Sequence, residues 1–498
     1  MSGTDRLRLV VVGGGIAGLS AALHGLTLGA EVTILEGADK TGGKLRTERF
    51  AGRLVDCGAD AFLTRRPEAV ELAADVGLTD LISPASGHAH VVVDGELRAL
   101  PGGLVLGVPT NLRAVAASRV LGRGGLLRLC ADLVLPGPPM LVDPDDDPSV
   151  GRLLRDRIGD AAFERLVDPL LSGINAGDAD DLSIRAGVPQ LAAAFRGNRS
   201  VLLAAARTKG TLRSQLVATV GAKIGRARSA APPASPFLAP AGGMEQLAVK
   251  ATRAFVDRGG SVVLRATATS IEVRADGFLV RIDRGAPVEA DAVVVAVPPR
   301  SAAPLLAPIA AHAAAQLASM PSSSVALVAF AYRPSDVGHA LDGSGFLVPR
   351  DHPGVLAACS WFSKKWPQAQ ARDRDGDLVV LRASAGRAGD VRAISMSDDR
   401  LVARLHEEMR PLLNLLGEPV ATRVSRWVDG FPIYEPGHNR VVAAVRADLP
   451  PGLTAAGAAF EGVGVPACIA SGRRAAATAL AAATSGVLWS LGNEKRAQ

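Results

Sequence analysis

The chain is poor in the residues that would staple it, load it with metal or anchor it in a membrane. Its 498 residues hold four cysteines. Cys57, Cys130, Cys359 and Cys468 lie far apart with no CxxC pair, so neither a disulfide scaffold nor a zinc or iron–sulfur site is indicated, and no metal is expected. His88 and His90 form an HxH pair, but the sequence offers no third ligand, and the pair reads as strand or loop surface. Aromatic residues make up 4%, with Tyr332 and Tyr434 the two tyrosines. Lysine is scarce as well: the 55 basic residues are 47 Arg and 8 Lys, giving a net charge of +6. The arginines are scattered rather than gathered in a stripe, which argues for a generic anionic ligand at least as strongly as for nucleic acid. No unbroken apolar 20-mer is present. Pro304, Pro308 and Pro321 interrupt residues 301–332, and 475–493 is mostly Ala with Thr, Ser and Gly, so both read as core helices and strands. The first apolar run enters a glycine motif directly rather than a cleavage site, and a cytoplasmic location is expected.

What is present suits a large folded protein of two to four domains. The opening reads as strand Leu7–Val12, a tight glycine turn, helix Ile16–Leu28, and strand Glu31–Leu35 ending at Glu36. Ser261–Ile271 and Phe278–Arg284 alternate like sheet strands, and Asp291–Val297 is a continuous apolar run suited to a buried parallel strand. Residues 100–230 carry helical signals instead, with Asp147, Pro148 and Ser149 opening one helix and Ala161–Leu171 forming the next. Ala231–Pro240 reads as a crossing between domains, Arg372–Asp377 as a surface turn, and Leu453–Gly472 as a glycine-rich lead into the last helix.

The strongest local signal is VVVGGGIAGLSAA, residues 10–22, which places Gly13, Gly15 and Gly18 in GxGxxG spacing between a strand and a helix. Gly13 permits the turn, Gly15 lets the backbone approach a pyrophosphate, and Gly18 allows close helix–strand packing. Gly14, Ile16 and Ala17 complete the turn, and Glu36 stands where a carboxylate accepts hydrogen bonds from ribose hydroxyls, with Gly37 following. A dinucleotide site is the expectation. No second such unit appears, so a nicotinamide site is not supported.

Two further segments, GADKTGGKLRT (37–47) and LVDCGADAF (54–62), extend the pattern. With them the chain resembles the flavin-containing amine oxidase and protoporphyrinogen oxidase superfamily. The resemblance implies FAD, with Lys44 approaching its phosphates, the segment Asp56–Ala59 lying beside the flavin, and Gly43, Gly58, Ala59, Asp60 and Ala61 among the cofactor-binding residues. Residues 149–191, the Gly-Gly-Met loop in LAPAGGMEQL (238–247) and GAAFEGVGVPACIASGRRAA (457–476) resemble the porphyrinogen oxidase branch. Asn175 departs from the branch, where Tyr is common at that position. The branch further implies that Val463, Gly464 and Val465 lie near the isoalloxazine and that Ala268 meets the adenine side, while Trp427 and Tyr434 read equally as flavin or cavity neighbours and as packed core.

The fold this implies is α/β, or α+β overall. A discontinuous Rossmann-type FAD-binding domain takes residues 1–85, 236–303 and 436–492, a mixed-sheet substrate domain 86–99 and 304–435, and a helical domain 100–235. The implied reaction is FAD-dependent oxidation of coproporphyrinogen III, with protoporphyrinogen IX as the runner-up, six electrons passing to three O2 as three H2O2. Such chemistry asks the protein to orient a cofactor's reactive atom more than to supply acid–base groups, which agrees with the lack of any Ser/His/Asp or Cys/His motif. Arg65, Arg66 and Asn175 are the candidate substrate contacts, since Arg holds a propionate bidentately. Transient contact with a ferrochelatase follows from the same resemblance. Rival readings are an amine oxidase, which would want an aromatic cage, a carotenoid desaturase, which would want an apolar tunnel, and a non-catalytic module that keeps FAD as a structural element.

Overall fold

Leu9 and Val11 point to one face of the first strand and Val10 and Val12 to the other, and all four are buried, so both faces of that strand must be covered. A computed structural model describes residues 6–85, 87–134, 137–208, 236–366 and 378–485. In it, β1 (Arg8–Val12), α1 (Ile16–Thr27) and β2 (Glu31–Glu36) form the expected βαβ unit. They belong to a five-stranded parallel sheet in the order 261–264, β2, β1, 292–295, 453–455. On one face α1 packs against the last helix, Val465–Thr484. A Cβ on Gly472 of that helix would lie 2.0 Å from the Ala17 carbonyl oxygen, so the two helices cross at a spacing that only glycine allows. The other face carries helices Pro299–Leu306 and Ala311–Ser319 and a three-stranded antiparallel sheet of Ala268–Arg274, Gly277–Ile282 and Val288–Ala290.

The run 261–271 is therefore two strands in two sheets rather than one. Arg265 turns into the left-handed region at φ 54° and ends the parallel strand Ser261–Leu264, and the chain then re-enters as Ala268–Arg274. A second, seven-stranded mixed sheet has the order 421–432, 322–332, 379–385, 356–360, 345–347, 89–93, 96–99, in which only the pair 345–347 and 89–93 is parallel. Helix Asp398–Leu413 covers one of its faces with Leu401, Leu405, Met409 and Leu413.

Between strand Glu96–Ala99 and strand Phe237–Pro240 the described chain is mainly helical. Ser149 caps Val150–Ile158, its side chain accepting from Arg152 N at 3.2 Å, as its position before the apolar run predicts. The helix expected over 161–171 runs from Asp160 to Asn175 but widens into a π-helical stretch over Phe163–Val167, ahead of Pro169, which has no N–H for a regular helical bond. The last helix starts at Val465, after strand Leu453–Ala455 and a short helical turn at Ala458–Glu461. Residues 231–235 of the Pro-rich crossing and the turn Arg372–Asp377 lie outside the described residues. Among the described residues all four cysteines are free, and no helix is long and apolar enough to cross a membrane.

Candidate flavin and substrate site

The site is built where β1 ends. Gly13 N donates to the Leu35 carbonyl at 2.8 Å, and Gly13 sits at φ +104°, with Val297 Cγ1 2.9 Å from where a Cβ would be. Gly18 is equally constrained, since its Cβ would lie 1.9 Å from the Gly13 carbonyl oxygen. Gly15 differs from both. It caps α1 with extended backbone (φ −67°, ψ 176°), and a Cβ there would meet no atom within 4 Å. No acidic side chain occupies the first turn of α1, so the positive end of the helix opens onto that space, a geometry suited to a diphosphate. Ile16 and Ala17 form the first helical turn and are buried against the core.

Glu36 closes one side of this cradle, its Oε2 accepting from Gly14 N at 2.7 Å and its Oε1 from Ala38 N at 2.8 Å. Gly37 packs against Thr267, whose Oγ1 is 3.1 Å from the ideal Cβ position, and Ala268 follows at the start of its strand, so the Glu36–Gly37 turn and Ala268 share one end of the sheet. On the other side Gly42 N donates to the Gly14 carbonyl at 2.8 Å, and an added Cβ on Gly43 would be 3.2 Å from Gly15 Cα. Lys44 follows Gly43 directly in the chain. Its Nζ donates to the Gly430 carbonyl, lies 5.4 Å from the Phe431 ring centre and stands near Cys468; burial pulls its pKa down, with Cys468 opposing.

The segment 56–61 is tied down by groups far away in the sequence. Asp56 Oδ1 accepts from Thr47 Oγ1 at 2.6 Å and from Met244 N at 2.9 Å, which docks the Gly-Gly-Met loop onto it, and burial pushes the Asp56 pKa up to about 6 against these hydrogen bonds. Glu245 joins the same knot by accepting from Thr47 N at 2.9 Å. Gly58 is required because a Cβ would sit 2.1 Å from the Lys44 carbonyl oxygen. Asp60 pairs with Lys365 at 2.7 Å and Arg382 at 3.1 Å. Burial works against its ionisation, but those two cations outweigh burial and hold its carboxyl well below the usual range. Arg382 also donates to the Asp56 carbonyl at 2.7 Å and the Gly58 carbonyl at 3.2 Å. Ala59 and Ala61 are half-buried against the same core. Lys365 and Arg382 carry no motif that points to Asp60, and sequence reasoning missed both.

Trp427 donates from Nε1 to the Cys57 carbonyl at 2.6 Å, with its ring 3.6 Å from the ideal Cβ of Gly58. Val463, Gly464 and Val465 form the entry to the last helix, with Gly464 as its N-cap, and Cys468 lies one turn in. Tyr434 donates to the Ala458 carbonyl and stacks on His438 at 4.3 Å, and His438 Nε2 contacts the Ala459 carbonyl at 2.8 Å. Both side chains thus position the 458–462 backbone.

Of the candidate substrate contacts, Arg65 is exposed, whereas Arg66 is half-buried, pairs with Glu68 at 2.8 Å and acts electrostatically on Cys468. Asn175 is buried, its Nδ2 donating to the Leu171 carbonyl at 3.1 Å. Two arginines that the sequence does not single out stand by the Asn175 segment. Arg350 donates to the Gly177 carbonyl at 3.1 Å and pairs with Asp178 at 3.3 Å; Arg387 is held by the Val348 carbonyl at 2.6 Å, its pKa lowered by burial and then by Arg350.

The family pattern of flavin containing amine oxidoreductases matches residues 16–480. The chain is 32% identical to the coproporphyrinogen III oxidase of Bacillus subtilis over 482 residues, covering 95% of this chain and 97% of that protein. It is 35% identical to the coproporphyrinogen III oxidase of Mycobacterium tuberculosis over 480 residues, with the same coverage. A crystal structure from Exiguobacterium sp. 255-15, provisionally assigned to protoporphyrinogen oxidase, superposes with a TM-score of 0.81 at 28% identity over 96% of this chain and 99% of that one. The α/β architecture, the open glycine cradle and relatives matched over 97% of their length agree, and the chain belongs to the flavin-containing amine oxidoreductase family, alongside the bacterial coproporphyrinogen III oxidases.

Proposed function

We propose that the chain oxidises coproporphyrinogen III to coproporphyrin III in haem biosynthesis, with FAD as its flavin and O2 as the electron acceptor. The observation that carries this reading is its similarity, over 95% of its length, to two coproporphyrinogen III oxidases. Six electrons and six protons leave the macrocycle, and three O2 become three H2O2. When bound, the flavin accepts a hydride for each two-electron oxidation. The protein's part is placement. Gly15 and the first turn of α1 receive the diphosphate beside Gly43, Glu36 accepts from ribose hydroxyls, and Ala268 lies on the adenine side. Asp56–Ala61, braced by Arg382 and Lys365, and Val463–Val465 flank the flavin ring. Tyr434 and His438 hold the backbone before Val463, which leaves them positioning roles rather than proton transfer. The domain division stated above, with a Rossmann-type domain holding FAD and a mixed sheet and helices enclosing substrate, belongs to the same proposal, as does a cytoplasmic location.

Four propionates need cationic partners. Arg65 and Arg66 remain the proposed anchors beside the flavin segment, and Arg350 and Arg387 add positive charge next to Asn175. An aromatic amine cage is disfavoured, because the Tyr332 hydroxyl is buried against His406 Nδ1 at 2.9 Å and the Tyr434 hydroxyl is committed to Ala458. The aromatic product is passed on by transient contact with a ferrochelatase. The test is comparative turnover of anaerobically prepared coproporphyrinogen III and protoporphyrinogen IX. A higher kcat/KM on the tetracarboxylate is expected, and an equal or higher value on the dicarboxylate overturns the substrate assignment in favour of protoporphyrinogen IX.

A further inference from the structure

His88 and His90 flank the start of strand Ala89–Val93, where alternation turns residues two apart to the same side. Asp342 lies in the loop entering strand Gly345–Leu347, which pairs in parallel with Ala89–Val93, so both strands begin at one end of the seven-stranded sheet. The fold thereby supplies the third ligand that the sequence lacks. One ligand atom from each of His88, His90 and Asp342 lies within 4.8 Å of the others, and His90 Nε2 is 3.8 Å from Asp342 Oδ1. The His90 side chain is only 7% exposed and rests against Trp361 with ring centres 5.2 Å apart, whereas His88 and Asp342 face solvent. The loop is held in this position. Ser344 N donates to the His88 carbonyl at 3.0 Å, Leu341 N donates to His339 Nδ1 at 2.9 Å, and Gly343 comes so close that a Cβ would lie 2.3 Å from the His88 carbonyl oxygen.

We propose that His88, His90 and Asp342 form a binding site for one divalent transition-metal ion of the Zn2+ class. Two imidazoles and a carboxylate favour borderline ions over Mg2+ or Ca2+, which prefer all-oxygen shells. Ligand bonds of about 2.0–2.2 Å bring donor atoms to roughly 3.5 Å from one another around a tetrahedral ion. The existing separations contract to that by rotation of the two exposed side chains, while His90 stays fixed by its packing. Three protein ligands leave a coordination position for water. Occupancy clamps the 338–344 loop onto the sheet.

The test is equilibrium dialysis of the purified full-length flavoprotein against a several-fold molar excess of Zn2+, with metal content read by mass spectrometry and Tm followed against Zn2+ concentration. One Zn2+ per chain and a Tm that rises with Zn2+ by mass action are expected. His88→Ala and Asp342→Asn, both at exposed positions where folding is not at stake, each weaken Zn2+ binding by at least about tenfold and remove the Tm response, with flavin content unchanged. Failure of the wild type to retain Zn2+, or retention and a Tm shift that are the same in both variants, overturns the proposal.

Discussion

Gly15 and Gly18 share one motif, and the structure separates their roles well enough to predict opposite outcomes for similar substitutions. At Gly15 the backbone is extended, any residue can adopt it, and an added Cβ touches nothing within 4 Å. Replacing glycine at a compatible position stabilises by about 0.4–1 kcal/mol through the unfolded chain. Losing glycine at an N-cap costs a similar amount, so Gly15→Val should leave the fold near its original stability. The side chain instead fills the space in front of α1. Displacing two charge-assisted contacts to a diphosphate, at about 1.5–3 kcal/mol each, weakens flavin binding by roughly a hundredfold or more. Gly18→Ala places its methyl 1.9 Å from the Gly13 carbonyl oxygen, and overpacking of that kind costs about 1–3 kcal/mol or more of stability. The assay is the flavin-to-protein ratio after purification, together with the Tm of both variants and the wild type after flavin removal, because bound flavin itself raises Tm. Gly15→Val purified with a normal flavin ratio, or melting as low as Gly18→Ala once stripped of flavin, refutes the reasoning.

Arg66→Ala should lower kcat/KM for coproporphyrinogen III by about 10- to 150-fold, the loss of one charge-assisted contact, with flavin content unchanged; wild-type kinetics across salt concentrations would return Arg66 to an ordinary helix-start charge paired with Glu68. Asp60→Asn leaves Lys365 and Arg382 without their counter-ion and should cost about 3 kcal/mol in denaturant unfolding, with part recovered by adding Lys365→Met; an unchanged unfolding midpoint would mean the pair is not coupled to folding. Because the folded-state pKa of Asp60 is depressed, its stabilisation is present above an unfolded value of about 4 and is lost as pH falls, so acid unfolding of Asp60→Asn should lose less stability below that point. Asp56 has the opposite sign: with its pKa raised to about 6, the folded state holds a proton that the unfolded state has released, so stability falls as pH rises from about 4 to 6 and is flat above. Asp56→Asn should flatten that slope in pH-dependent Tm measurements, and an unaltered slope would remove Asp56 as its source.

The glycine turn, β1, α1, β2, Glu36 and the Ser149 cap were legible in the sequence because each depends on neighbours a few residues apart, where strand and helix periods and capping geometry leave a visible pattern. The length and composition likewise pointed to a large folded chain of several domains. Interactions across long stretches of chain leave no such trace. Ser261–Ile271 alternates throughout, and only the competition between two sheets decides that it breaks at Arg265. Asp60 reads as one more flavin-loop residue until helix Phe362–Lys365 and strand Val379–Ala385 bring it two cations. His88 and His90 read as strand surface until the parallel pairing of Ala89–Val93 with Gly345–Leu347 carries Asp342 to them. An ionic or ligand contact needs only a few ångströms of separation and the right atoms, and which distant segments meet at that separation is set by how sheets and helices bury their apolar faces, a property of the assembled core rather than of any stretch of sequence.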